Sequence, residues 1–219
     1  MADLLLAYTL PTFVYVLFIL SHSLFASVGF KKSLFDLSPR LKPFYRLLFN
    51  LLSVIIIIIW LLTLPEDQHL YRITGVLFYL MIFIQLTAGF FFIKALFTNS
   101  GSVLLGLSQI LNYLRHGKLP RFLDEPEAGK LNRKGLYKYM RHPTYTFAAF
   151  FLIASPLMTI NLLYLIFMIL LYFGIGTVFE ERNLIHRFGD EYRKYQNEVP
   201  RFIPDIFDIF RDKISDKSV

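Results

Sequence analysis

The residues best suited to chemistry lie in two polar, aromatic clusters in the last third of the chain. The first, at residues 135–145, combines three tyrosines, an arginine and a His-Pro pair. The second, at residues 180–201, begins with two adjacent glutamates. An apolar stretch with one turn, at residues 159–161, joins them. We therefore expect both clusters at the same end of one helical hairpin, where they would form a small-molecule site.

The first cluster has the composition of an anion-binding helix N-terminus. Pro143 suits the first turn of a helix, where its missing N–H costs nothing. A helix N-terminus beside Arg141 is electropositive and offers unpaired N–H groups, which favours a carboxylate or phosphate. Tyr137, Tyr139 and Tyr145 add aromatic faces. A basic, aromatic anchor at the membrane interface explains the same residues, and both interpretations stay open.

The second cluster places carboxylates where anions are disfavoured. Glu180 and Glu181 end an apolar span, and both the helix dipole and the charge of the inner leaflet oppose them there. Ionisable groups at the edge of a span indicate a functional site, although local pairing with Arg182 and Arg187 is an alternative. A carboxylate facing an electropositive helix N-terminus, between aromatic walls, suits a zwitterionic ligand with a cationic or planar group. S-adenosylmethionine fits this description, and so does a phospholipid head group.

The composition excludes several other classes of protein. The chain has 219 residues, of which 55% are hydrophobic and 17% aromatic, as is typical of multi-span membrane proteins. Its net charge of +7 comes mostly from loops beside apolar spans, and no arginine-rich tail or zinc-knuckle spacing favours nucleic acid. The absence of cysteine excludes disulfides and thiolate chemistry. No pair of histidine and carboxylate residues has the spacing of a metal site, so we expect no metal.

Five apolar segments must position the two clusters. A span needs roughly 20 apolar residues, and the pattern predicts spans at 4–30, 47–64, 73–96, 145–155 (short) and 162–179. Gln85 and Gly89 are predicted helix-contact positions in the third. The fold class is therefore all-α, a polytopic membrane helix bundle of about five transmembrane helices. We expect a single domain over 1–219, with a three-span bundle at 1–98, an interfacial helix and loop at 99–134, the cofactor-binding hairpin and motif at 135–204 and an amphipathic tail at 205–219.

Shorter helices and loops surround these spans. Apolar side chains recur at helical spacing from Val103 to Leu114, which predicts an amphipathic helix in the membrane interface. Residues 117–134 are a predicted loop, residues 65–69 another, and residues 159–161 the turn of the hairpin. Gly189 is a predicted helix stop in the left-handed capping position, and Asp190 a predicted cap. The helix that follows would place three apolar positions on one face, namely Tyr192, Tyr195 and Val199.

The apolar spans make the lipid bilayer an expected partner of the protein. The distribution of basic residues predicts how the protein is oriented in it. Lys and Arg follow the first and third spans and recur in the C-terminal tail, whereas the loops at Glu66 and Pro156 carry none. By the positive-inside rule the N-terminus lies outside, and the C-terminus lies in the cytoplasm. Both polar clusters then face the cytoplasm.

The two clusters form a multi-part pattern of short motifs in a fixed order. They contain Gly135-Leu136-Tyr137, Arg141-His142-Pro143-Thr144-Tyr145, Glu180-Glu181, Phe188-Gly189-Asp190-Glu191-Tyr192 and Val199-Pro200. This pattern resembles the integral-membrane methyltransferases, a family that includes isoprenylcysteine carboxyl methyltransferase and the phospholipid methyltransferases. Residues 22–27 and 45–50 resemble its methanethiol S-methyltransferase and NnrU-like branch. No Gly-x-Gly-x-x-Gly follows a strand, which excludes a soluble Rossmann methyltransferase.

The resemblance implies S-adenosylmethionine as the cofactor. The family holds it with the His-Pro-x-Tyr element, the tyrosine before it, the first glutamate of the pair and an interhelical loop. With the neighbouring charged residues, the predicted cofactor-binding set is Tyr137, His142, Pro143, Thr144, Tyr145, Glu180, Leu131, Asn132, Arg141 and Glu181. No catalytic residue is assigned. His142 and His22 are candidate general bases, and a hydrogen bond between helices explains His22 at least as well.

The methyl acceptor is less well defined than the cofactor. Family members that methylate prenylcysteine carry an arginine about one turn before the glutamate pair, where this sequence has Gly176. We therefore expect a small thiol or lipophilic acceptor, with a phospholipid or a prenylcysteine as alternatives. A membrane reductase of the sterol type and a non-enzymatic NnrU-like membrane protein remain rival hypotheses.

Overall fold

The computed structural model describes residues 6–98, 105–117 and 131–205. These residues form two compact units, 6–67 with 105–117 and 68–98 with 131–205, each described separately below. Short 3-10 turns occupy Pro39–Leu41 and Gly135–Lys138. The longer elements, in chain order, are α1 Thr9–Ala26, α2 Val28–Leu37, α3 Tyr45–Leu62, β1 His69–Arg72, α4 Val76–Thr98, α5 Leu107–His116, α6 Pro143–Ile153, β2 Leu157–Thr159, α7 Ile160–Phe188 and α8 Asp190–Glu198.

Four of the described helices are long and apolar enough to cross a membrane, as judged by length and composition: α1, α3, α4 and α7. The predicted short span corresponds to α6, which is apolar but has only 11 residues. At 1.5 Å per residue it measures about 16 Å, roughly half of a 30 Å hydrocarbon core. The 29-residue α7, by contrast, is longer than the core needs. The protein is thus an all-α membrane helix bundle, as predicted.

In the first unit, α1 packs against α3 through aromatic and polar side chains. The Tyr45 hydroxyl donates to the Phe25 carbonyl at 2.6 Å. His22 Nδ1 lies 3.2 Å from Ser53 Oγ, which confirms the hydrogen bond between helices that explains this histidine. Since the Ser53 hydroxyl donates to the Phe49 carbonyl, its oxygen is left to accept from His22.

The shorter helices of the first unit begin at residues with special backbone geometry. Ser27 is extended and separates α2 from α1, which therefore ends before the predicted residue 30. Gly106 has a φ of 84° and precedes α5, where a Cβ would come within 2.7 Å of the Leu47 nitrogen. Helix α5 confirms that the predicted amphipathic stretch is helical over its described part, and its location in the membrane interface stays a prediction. The predicted helix begins at residue 103, but Leu105 and Gly106 form a turn before α5. Residues 103–104, the part of the predicted loop at 118–130 and the tail at 206–219 lie outside the described residues.

In the second unit, α4 packs along α6. Gln85 Nε2 donates to the Phe151 carbonyl at 2.9 Å. A Cβ on Gly89 would lie 3.6 Å from the Phe151 ring, so this glycine lets the two helices approach closely. The rings of Phe91 and Phe147 stack with centroids 5.1 Å apart. The predicted helix-contact positions, Gln85 and Gly89, are therefore confirmed.

A two-stranded antiparallel sheet closes the other end of this unit, which the sequence analysis did not predict. β1 pairs with β2, and His69 lies opposite Thr159. The predicted turn at residues 159–161 is wrong, because Thr159 ends β2 and caps α7 by accepting from the Leu162 N–H. The chain reverses earlier, at residues 154–156. The sheet ties the start of α4 to the hairpin of α6 and α7.

Helix α7 continues past the predicted end of the membrane span at residue 179 and ends at the predicted stop, with Phe188 as its last residue and Gly189 as its cap. The φ of 58° at this glycine confirms the stop, but its ψ of −128° lies outside the left-handed helical region predicted for it. The predicted cap is wrong, since Asp190 is the first residue of α8 and its carboxylate pairs with Arg193 at 2.8 Å. The predicted apolar face of α8 is confirmed by a buried cluster of Tyr192, Tyr195 and Val199.

Candidate functional site

The two predicted clusters meet at one end of the second unit. Pro143 begins α6 immediately after His142. The chain after α8 attaches here through its backbone, because the Arg141 N–H donates to the Pro200 carbonyl at 2.9 Å and the His142 N–H donates to the Arg201 carbonyl at 3.0 Å. The hairpin of α6 and α7 brings the glutamate pair to the same end, as the sequence predicted.

The two adjacent glutamates have opposite environments. Successive residues of a helix differ by about 100° in direction, so the two carboxylates point to different sides of α7. The Glu180 side chain is 46% exposed, whereas that of Glu181 is 4% exposed. Glu180 Oε2 accepts a hydrogen bond from the Tyr145 hydroxyl at 3.0 Å. Glu180 is therefore available at the surface of the site, and Glu181 belongs to its interior.

Glu181 is the centre of a buried polar network. Its Oε1 accepts from Arg141 Nε at 2.9 Å and from His142 Nε2 at 3.0 Å. Its Oε2 accepts from Gln196 Nε2 and Arg201 NH2, both at 2.9 Å. A buried carboxylate needs such partners to offset its desolvation. Glu181 thus joins the chain before α6, helix α8 and the segment after α8.

Arg141 completes this network rather than standing apart from it. Its NH1 donates to the carbonyls of Gln196 and Val199, both at 2.7 Å, and its side chain is only 9% exposed. The sequence analysis placed Arg141 and Glu181 in the binding set and did not foresee that they pair with each other. The contacts of both side chains described above are internal, and a direct contact of either with a ligand stays a prediction.

His142 lies between the two carboxylates. A carboxylate can only accept a hydrogen bond, so the contact with Glu181 requires the proton to be on Nε2. Nδ1 lies 3.6 Å from Glu180 Oε2. In neutral imidazole Nδ1 is also an acceptor, which leaves the buried Nδ1 and the half-exposed Glu180 carboxylate facing each other as two acceptors. This position favours a hydrogen-bond donor, such as a cationic group of a ligand.

Three nearly parallel rings stack on one another next to Glu180. His142 stacks on Tyr145 at 5.4 Å between centroids, and Tyr145 stacks on Phe173 at 4.4 Å, with interplanar angles of 4° and 10°. We call His142, Tyr145 and Phe173 the aromatic stack. The sequence analysis missed Phe173, although it lies seven residues before Glu180 and the helical period places both on one face.

The other residues that the sequence analysis missed hold the segment after α8. The Thr146 hydroxyl lies 3.1 Å from the His142 carbonyl and 2.9 Å from the Phe202 carbonyl. Gln196 and Arg201 complete the network around Glu181. Arg201 directly follows the Val-Pro motif, and this position was a signal from which its role could have been predicted. Nothing in the sequence distinguishes Gln196.

Leu131 and Asn132 lie beside the network and not in it. Leu131 packs against the buried cluster on α8. The Asn132 side-chain oxygen accepts from the Lys134 N–H at 3.0 Å, and its amide donates to the Thr98 carbonyl at 3.4 Å. These contacts fix the shape of the loop before α6.

Tyr137 is held through its backbone by the tyrosines of α8. Its carbonyl accepts from the Tyr195 hydroxyl at 2.6 Å. Burial raises the pKa of Tyr195 to about 12, so this hydroxyl keeps its proton and its hydrogen bond at neutral pH. Thr144 lies half-buried in the first turn of α6. The structure therefore brings Tyr145, His142 and Glu180 together and places Tyr137 and Thr144 close to them in the chain.

The fold and the site define a class of protein: a helical membrane bundle with a polar, aromatic site at one end of an apolar hairpin. In residues 6–98, 105–117 and 131–205 no three His, Cys, Asp or Glu side chains are grouped to hold a metal ion. The family described as "Protein of unknown function (DUF1295)" matches residues 76–199, more than half of the chain. The chain belongs to this family.

Individual relatives carry an informative name. A protein of Pseudomonas deceptionensis named methanethiol S-methyltransferase is 29% identical over 203 residues, which cover 92% of this chain and 74% of that protein. Methanethiol S-methyltransferase 1 of Bradyrhizobium diazoefficiens is 37% identical over 103 residues, 46% of this chain and 33% of that protein. The predicted resemblance is thereby confirmed. No solved structure matches the chain.

Proposed function

We propose that the protein is an integral-membrane methyltransferase that transfers a methyl group from S-adenosylmethionine to a small thiol or a similarly small lipophilic acceptor. One observation carries this proposal: the exposed carboxylate of Glu180 lies against His142 and Tyr145 at the end of the apolar hairpin. The site combines a negative charge, an acceptor nitrogen and aromatic faces at the edge of a membrane span.

The residues of this site fit the chemical groups of the cofactor. The amino group of S-adenosylmethionine is a cation with several donors, and the half-exposed Glu180 carboxylate, with Nδ1 of His142 beside it, offers acceptors for such a group. The aromatic stack offers planar faces to an adenine or to a positive sulfonium. Glu180, His142 and Tyr145 would therefore hold the cofactor, with Tyr137, Pro143 and Thr144 close to them in the chain.

Beyond binding the cofactor, methyl transfer requires few functions of the protein. The cofactor supplies a methyl group that is already activated by the positive charge on sulfur. The protein must then place a nucleophile in line with that group and exclude water, which the apolar surroundings of α6 and α7 favour. Glu181, Arg141 and Arg201 contribute by fixing the position of His142 and of the chain after α8.

Two observations favour a small acceptor. The relatives are named methanethiol S-methyltransferase, and a thiol of that size is a suitable nucleophile. Gly176 stands on α7 beside Tyr172, and no cation occupies the position where prenylcysteine-methylating proteins carry arginine. By the positive-inside rule we further propose that the site faces the cytoplasm and that the N-terminus lies outside.

The proposal is tested by measuring, with calorimetry, the binding of S-adenosylhomocysteine to the protein purified in detergent. We expect Glu180→Gln to weaken binding by about tenfold or more, since a hydrogen bond to a charged group contributes about 1.5–3 kcal/mol. Glu191→Gln, which neutralises an exposed carboxylate on α8, is the matched control and should leave affinity unchanged.

Transfer from labelled S-adenosylmethionine to methanethiol, to phosphatidylethanolamine and to a prenylated cysteine then identifies the acceptor. We expect labelling of the thiol. Absence of S-adenosylhomocysteine binding would overturn the proposal. Binding of a nicotinamide cofactor in its place would support the membrane reductase, and stable co-purification with one partner without any cofactor would support the non-enzymatic alternative.

A further inference from the structure

The first unit contains an apolar cavity, open to the surface at Leu48 and Leu52, that the proposed methyl transfer does not use. Its volume is about 200 Å³, and it lies between the end of α1, helix α2 and the first half of α3. Its walls are Phe25, Phe30, Leu34, Leu41, Tyr45, Leu48, Phe49 and Leu52. The one polar group among these side chains, the Tyr45 hydroxyl, is committed to the Phe25 carbonyl. The cavity therefore suits a hydrocarbon chain and no polar solute.

A basic segment forms the part of the chain that connects these walls. Between residues 31 and 46 the sequence has five cations, Lys31, Lys32, Arg40, Lys42 and Arg46, and one acid, Asp36. We call residues 31–46 the basic segment. Several membrane proteins carry such charge beside a span for orientation alone, so the charge by itself does not define a site. Its position relative to the cavity is the second observation.

The cations of the basic segment are adjacent to the cavity walls. Arg40 and Lys42 flank Leu41, which is a wall residue, and Lys31 follows the wall residue Phe30. The Lys42 ammonium lies 5.9 Å from the centre of the Phe35 ring, which holds it close to the fold. Lys32 and Arg40 are exposed.

We propose that the cavity and the basic segment together bind an anionic phospholipid, with part of an acyl chain in the cavity and the phosphate on the basic segment. A soluble phosphate would pair with the cations of the basic segment but would leave the cavity empty. A zwitterionic lipid fills the cavity, but its choline cation meets like charge. An anionic lipid satisfies both, and the inner leaflet, where we place this segment, is rich in such lipids. The inference is independent of the methyl transfer proposed above.

The charge is tested with Lys32→Gln/Arg40→Gln, which removes two exposed cations of the basic segment. The matched control, Arg72→Gln/Arg115→Gln, removes two exposed cations outside it. Native mass spectrometry of the detergent-purified protein measures binding of phosphatidylglycerol and of phosphatidylcholine with the same acyl chains. For the wild type we expect tighter binding of phosphatidylglycerol, and for the test variant a loss of about tenfold or more. The control should bind like the wild type.

The cavity is tested with Leu52→Phe, which fills it, against Leu62→Phe, which enlarges an exposed leucine on the same helix. We expect only Leu52→Phe to weaken binding of phosphatidylglycerol. Circular dichroism without lipid checks that each variant is folded, and Leu48→Phe, at another wall residue of the same helix, replaces Leu52→Phe if that variant does not fold.

Three outcomes would overturn the proposal: equal affinity of the wild type for the two lipids, an equal loss in both charge variants, or binding of inorganic phosphate as strong as that of phosphatidylglycerol.

Discussion

Glu180 and Glu181 show how neighbouring residues of one type acquire separate tasks. One carboxylate is half-exposed and contacts the aromatic stack, and the other is buried among two guanidinium groups, an imidazole and an amide. Helical geometry alone separates them, because the side chains of adjacent residues leave a helix in different directions. We therefore expect the two glutamates to affect different measurements when each is replaced.

The first prediction concerns Glu181→Gln, which keeps the size of the side chain and removes its charge. Breaking a buried ion pair on one side costs about 3–5 kcal/mol, since Arg141 would lose its charged partner. The variant should melt at a clearly lower temperature in detergent. Glu180→Gln, at an exposed position, should melt like the wild type while losing affinity for S-adenosylhomocysteine. Equal melting temperatures for the two variants would contradict this division.

The second prediction concerns the end of the aromatic stack. Phe173→Leu removes the ring that lies parallel to Tyr145 while keeping the position apolar. Aromatic pairs contribute about 0.5–1.5 kcal/mol beyond area burial, so affinity for S-adenosylhomocysteine should fall by about two- to tenfold. Phe167→Leu, at an exposed position on the same helix, is the control and should leave affinity unchanged in a titration. If both variants lose affinity equally, the stack has no specific role.

The residues of the site were easier to predict from the sequence than their partners. The sequence indicated His142, Tyr145 and Glu180 because their types and order form a recognisable pattern. The pairing of Arg141 with Glu181 depends on residues 40 positions apart, and local spacing does not specify such a contact. Gln196 was missed for the same reason, since an amide on a short polar helix has no distinctive signal until the fold places it beside a buried carboxylate.

At the level of elements, long apolar runs predicted the spanning helices well, because a membrane span needs about 20 apolar residues in sequence. The sheet of β1 and β2 was not predicted. Its strands are only four and three residues long, and their partners lie far apart in the chain. Strand pairing of this kind is a property of the folded chain. The same holds for the short helix α6, whose apolar sequence does not show where it sits relative to a bilayer.

The third prediction tests how α5 is positioned in the first unit. Gly106→Ala combines a positive φ with a Cβ that would lie 2.7 Å from the Leu47 nitrogen, and backbone atoms cannot move aside easily. Gly117→Ala, at the other end of α5, has a similar φ of 64° but no atom within 4 Å. Both should lower the melting temperature, and Gly106→Ala should lower it further, by the equivalent of about 1–3 kcal/mol. Equal losses would show that α5 is not packed against Leu47.

At the scale of the whole molecule, the distribution of basic residues in the sequence predicts an orientation in the membrane. The sheet and the site lie at opposite ends of the hairpin of α6 and α7, so two labelled positions suffice to test it. The chain has no cysteine, which allows single cysteines to be introduced without a background. Gln68→Cys lies next to β1, and Glu191→Cys lies on α8; both side chains are exposed.

The fourth prediction is that these two cysteines react from opposite sides of the membrane. In intact cells a membrane-impermeant maleimide should label Gln68→Cys and not Glu191→Cys, because the basic residues near α8 keep that end in the cytoplasm. After the cells are opened, both should be labelled. Labelling of Glu191→Cys alone in intact cells would reverse the orientation and place the site outside. Labelling of both would mean that the hairpin does not cross, which would contradict the assignment of α7 as a span.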